Sequence, residues 1–160
     1  MKTFIATLTT TLLLASPAFA DGKIYVQLPD LSSITGAEAE AFLSEVVLAN
    51  VVSSNCPDFA ITDEEWSLLT DSADILAREQ LRLSVDEYDS RFYGPAFDAL
   101  DRPETCAEAG PGVQPTLDRL VELGGSRAAL PDQDAAYAAE QARQASWDAP
   151  AATQGKTKTK

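Results

Sequence analysis

Cys56 and Cys106 are the only two cysteines in this 160-residue chain. A bond between them ties roughly 50 residues into one loop, which restricts the unfolded chain by about 4 kcal/mol on the entropic model. Small domains have a total stability of roughly 5–15 kcal/mol. One such bond therefore decides which folds the chain can hold. The pairing requires an oxidising compartment, and the N-terminus supplies the reason to expect one. Lys2 is followed by the short apolar run Phe4–Leu14 and then by the small-x-small site Ala18-Phe19-Ala20. That is the pattern of a cleaved signal peptide. The run is too short to span a bilayer, which takes about 20 apolar residues, and Asp21 stands where a lipoprotein would carry cysteine. The expectation is a periplasmic or secreted protein that begins at Asp21 and has no membrane insertion.

The segments expected are a signal peptide over 1–20, an extended lead-in over 21–34, a helical domain over 35–130, an alanine-rich helix over 131–147 and a disordered tail over 148–160. Ile24–Leu28 has the makings of one strand ended by Pro29, but no second strand pattern follows. It reads as an arm lying on the domain. Three helix starts carry a Ser or Thr followed three residues later by Glu: Thr35 with Glu38, Thr62 with Glu65, and Ser84 with Glu87. Behind the first, Ala39, Phe42, Leu43, Val46, Val47 and Val51 recur at helical spacing, and Pro57 ends that helix near Ser53–Asn55. Behind the second, Trp66, Leu69, Ala73, Leu76, Gln80 and Leu83 mark a narrow seam. Behind the third, Val85, Tyr88 and Phe92 are expected inside, with a kink or break at Gly94-Pro95. Ala96, Phe97 and Leu100 resume the pattern. A short helical turn from Asp101 carries Cys106 as far as Gly110-Pro111-Gly112. Pro115 then opens a last core helix that buries Leu117, Leu120, Val121 and Leu123 before Gly124-Gly125. The fold class is all-α: a small bundle of four to five short helices stapled by one disulfide, with a loosely packed C-terminal helix.

Charge narrows the choice of partners. The chain has 25 acidic against 12 basic residues, a net charge of −13, and loss of Lys2 with the leader deepens it by one unit. Binding to nucleic acid or anionic lipid rests on Lys and Arg contacts, so both are excluded. The remaining readings are simple solubility and attraction to cations or to a basic protein.

Catalytic signatures are missing. There is no histidine, hence no usual general base, triad partner or transition-metal ligand. Two cysteines cannot close a zinc site, and no phosphate-binding or dinucleotide loop is present. No cofactor and no metal are expected, and the protein reads as non-enzymatic. Asp63-Glu64-Glu65 and Asp86, Glu87 and Asp89 suit helix starts better than calcium. The cysteines read as a structural staple, since no Cys-x-x-Cys, His or Lys lowers a thiol pKa. One cluster could bind: Tyr88, Phe92, Tyr93 and Phe97 around the Gly94-Pro95 break are either core or an aromatic groove for a peptide or small apolar ligand.

At Asn55-Cys56-Pro57 and along Ser84–Leu100, the chain resembles a group of small exported helical alphaproteobacterial proteins carrying a domain of unknown function. The resemblance covers about residues 34–100 and implies location and helical build. In layout alone the chain also looks like the small acid-stress chaperones of the periplasm. The function expected is an exported accessory or protein-interaction protein whose partner is another periplasmic protein of basic character. The alternatives are a stress holdase loosened by acid and, behind it, a hydrolase built on a carboxylate pair.

Overall fold

A computed structural model describes residues 22–148. The expected signal peptide and nearly all of the expected tail lie outside the described residues. The protein is an all-α bundle. Its central element is α1 (Gly36–Asn55). Phe42, Leu43, Val46, Val47, Val51 and Val52 of α1 are fully buried. Packed around it are α2 (Asp63–Ile75), the rod formed by α3 (Val85–Tyr88) and α4 (Gly94–Ala99), and α6 (Val113–Glu122). Between α4 and α6 lies the short α5 (Thr105–Ala109), and α7 (Gln133–Asp148) closes the described chain. The Cys56–Cys106 bond joins the end of α1 to α5. Beside it Gly110 lies against the Phe59 ring, so close that an added Cβ would fall 2.1 Å from it.

Local chemistry explains the helix starts, with one correction. Thr62 and Ser84 each accept a hydrogen bond from the backbone N–H of Glu65 and Glu87, and each Glu returns a bond to the N-cap amide. The expected box at Thr35 does not form. Gly36 enters α1 with φ +57°, and the Glu38 carboxylate turns instead to Arg119 at 3.4 Å.

Three further expectations are corrected. The seam of α2 keeps Leu69, Ala73 and Leu76 but is wider than expected and leaves Trp66 outside. Leu68, Leu69, Ala73, Leu76 and Ala77 are buried with Ser67, Asp71 and Ser72, while Trp66 is 41% exposed. Because α2 packs against both α1 and α6, it buries a wide face with polar members, which a count of apolar residues misplaces. Gly94-Pro95 does not break the rod. The chain passes through a π turn, Asp89–Tyr93, in which the Gly94 N–H donates to Asp89 O, and α4 follows directly. The wider turn accommodates the proline ring and its missing donor, so the irregularity is absorbed one turn upstream. Val85 and Val121, both expected inside, are at least a third exposed, as is Phe97, for which the sequence allows core or groove.

The arm has a partner after all. Val26 forms an isolated antiparallel bridge with Ala129, flanked by Ser126 N–H to Gln27 O at 2.9 Å and Leu130 N–H to Tyr25 O at 2.8 Å. Segment 124–130 lacks strand alternation, so the sequence does not announce it.

Candidate functional site

Two side-chain clusters meet at Asp74. The first is the aromatic row on the rod. Ring centroids are 6.4 Å apart for Tyr88–Phe92, 5.1 Å for Tyr88–Tyr93 and 6.3 Å for the stacked pair Tyr93–Phe97. The π turn adds a residue to the helical repeat and so brings Tyr93 over Tyr88. Tyr88 and Phe92 are buried in the core, Tyr93 is half-buried, and Phe97 is 52% exposed. The inner pair packs where α1 meets the rod, and the outer pair reaches the surface. The Tyr88 hydroxyl is buried, and its contact with the Tyr93 hydroxyl falls short of hydrogen-bond geometry. Burial, then the neighbouring Tyr93, holds the Tyr88 phenol well above the usual range, and burial raises Tyr93 as well. Both rings stay neutral. On the same rod and at its end, Asp86, Asp89, Asp98 and Asp101 are exposed.

The second cluster was not legible as a site and lies under α7. Apart from Glu140, no residue of α7 is buried. The helix is held to the body near its two ends and braced within itself at its middle. At its start, Gln133 donates to Tyr25 O at 2.9 Å and accepts from Tyr25 N–H at 2.8 Å. At its middle, Glu140 pairs with Arg143 and accepts from Gln144 at 2.8 Å. At its end, Trp147 lies 5.7 Å from Arg78 and 5.3 Å from Arg143, and its indole N–H reaches Glu79 at 3.3 Å. Below the helix a cleft of about 250 Å³ is lined by Tyr25, Leu28, Asp71, Leu130, Glu140 and Arg143.

Asp71 in that cleft is 2% exposed and forms a 2.6 Å ion pair with Lys23 of the arm. Burial pushes its carboxyl up, against the pull of Lys23. Asp74, one turn on, is pushed up to about 6, by burial first and then by the Asp71 charge. Three carboxylates (Asp71, Asp74, Glu140) thus gather with Lys23, Arg78 and Arg143. The signals for this in the sequence are slight: an aspartate inside an apolar stripe of α2, and one Glu-x-x-Arg pair in an alanine-rich helix.

Among the described residues, no group of three or more His, Cys, Asp or Glu side chains is arranged to hold a metal ion. None of their helices is long and apolar enough to cross a membrane. No family model, curated protein or solved structure matches the chain.

Proposed function

We propose that this is an exported, non-enzymatic accessory protein that binds another exported protein of basic character through the acidic outer face of the α3–α4 rod. One observation carries the reading: the cations of the described body are largely spoken for. Lys23, Arg91, Arg102, Arg119, Arg127 and Arg143 all sit in intramolecular ion pairs. Asp86, Asp89, Asp98 and Asp101 take no part in those pairs and stand exposed along the rod that carries Phe97 and at its end. Exposed carboxylates along the rod favour encounter with a lysine- or arginine-bearing surface, and the exposed Phe97 ring adds a face for cation–π contact. The disulfide agrees with an oxidising compartment.

Zero-length carbodiimide cross-linking in intact cells, followed by peptide mapping, tests the reading. The expected products join Asp86, Asp89, Asp98 or Asp101 to lysines of a second protein, and their yield falls when salt is raised. Cross-links confined to pairs within this chain would contradict it. Mass measurement of the exported protein tests the location, with a mature chain starting at Asp21 as the expected result.

A further inference from the structure

The way α7 is seated sets it apart from every other long helix of the bundle. It offers the core no large apolar side chain that is fully buried, and its one buried residue is a glutamate. The surface beneath it places Asp71 and Asp74 one helical turn apart on α2, and Glu140 comes down on them from α7. Like charges so placed, with water largely excluded, repel unless something neutralises one of them.

The groups around Asp74 come from every neighbouring element. They are Asp71 on α2, Arg78 on the helical turn Leu76–Gln80 that extends it, Lys23 on the arm, and Glu140 and Asp148 on α7. Tyr88 of α3 and Tyr93 of the π turn also feel its charge. Of the two cations, Lys23 is committed to Asp71, and Arg78 lies against the Trp147 ring of α7. Asp74 itself has no ion pair among the described residues.

We propose that α7 is a proton-linked latch: a proton taken up at Asp74 tightens the seat of α7 on α2, and its loss in neutral or alkaline solution loosens it. The sign follows from linkage. Docking α7 places Glu140 near Asp74 and lines the adjoining surface with Gln144 and Trp147. Both effects penalise the charged form of Asp74, so the docked state holds the proton more tightly than the released state. An ordinary aspartate titrates near 3.8, whereas Asp74 with α7 seated is pushed up to about 6. If α7 supplied the whole difference, docking would strengthen up to about tenfold between pH 7 and pH 5. Burial by α2 and the rod supplies part of it, so a rise of several-fold is expected.

Release uncovers a face made of Tyr25, Leu28 and Leu130 with Asp71 at its centre. The latch therefore opens this face towards neutral pH and closes it in mild acid, opposite to an acid-opened holdase.

The experiment is amide hydrogen exchange of the full mature chain at several values between pH 5 and pH 7.5. Exchange is expressed as protection factors, so that the intrinsic pH dependence divides out. Protection across 133–148 should rise several-fold towards pH 5 relative to α1, and Asp74→Asn should flatten that rise. Glu140→Gln provides a second check: removing its charge should move the midpoint to lower pH. Protection of α7 that is flat or falls with acid would overturn the proposal. So would a rise of equal size in Asp74→Asn.

Discussion

Removing the staple gives the largest single effect expected in this molecule. Cys56 and Cys106 are 50 residues apart in sequence, and their Cα atoms lie 5.6 Å apart across the junction of α1 and α5. Opening that loop returns about 4 kcal/mol of conformational freedom to the denatured chain. For a domain of this size, each kcal/mol moves the melting temperature by roughly 4 °C. The double variant Cys56→Ala/Cys106→Ala should therefore melt about 15 °C below the oxidised wild type. Cys56 is buried, so a modest packing loss adds to the drop. Reduced wild type separates the two effects because it keeps both side chains while losing the bond. Circular dichroism melts of the three forms decide it. If the reduced protein melts within a few degrees of the oxidised one, the loop-closure reasoning fails.

The remaining predictions are smaller. The folded-state pKa of Asp74 is raised to about 6, so its cost to stability builds as the pH rises from about 4 to about 6, stays level above that, and is fully relieved only below the unfolded value near 3.8. Urea denaturation should show Asp74→Asn stabilised at pH 7.5 by about 1–3 kcal/mol, with about half of that gain left at pH 5 and little near pH 3, below the unfolded value. Thr62→Ala should cost about 1 kcal/mol because its cap is real, whereas Thr35→Ala should cost only a few tenths because its side chain makes no cap bond; paired denaturation curves compare them directly. Gly110→Ala drives a methyl into the Phe59 ring and should cost about 1–3 kcal/mol in the same assay.

The sequence made the skeleton legible because helix starts and core spacing are local. Thr62, Ser84 and the α1 stripe lie within a few residues of everything they depend on. Thr35 failed as a cap because Glu38 found Arg119, 81 residues away, a competition that no local pattern records. Trp66 was misplaced for a similar reason: α2 has neighbours on two sides, and its buried face follows them. At Gly94-Pro95 the proline rule gave the right irregularity and the wrong form, since a π turn satisfies it with less disruption than a break. Of the aromatic set, Tyr88 and Phe92 share the buried face their spacing implies, and the π turn turned Phe97 outward. The Lys23–Asp71 pair joins residues 48 apart in the chain, and its one slight signal is an aspartate inside an apolar stripe. Buried polar residues in α2 and α7 show themselves only once the helices are assembled.

The account rests on a stapled core that carries α7 as a separable element on a charged seat. Native-state hydrogen exchange with increasing sub-denaturing urea tests that division directly. Amides of 133–148 should exchange through a small opening that hardly responds to urea, while those of α1 exchange only through global unfolding with the full urea dependence. If the α7 amides opened with the same free energy and the same urea dependence as α1, the helix would be part of the core and the account would be wrong.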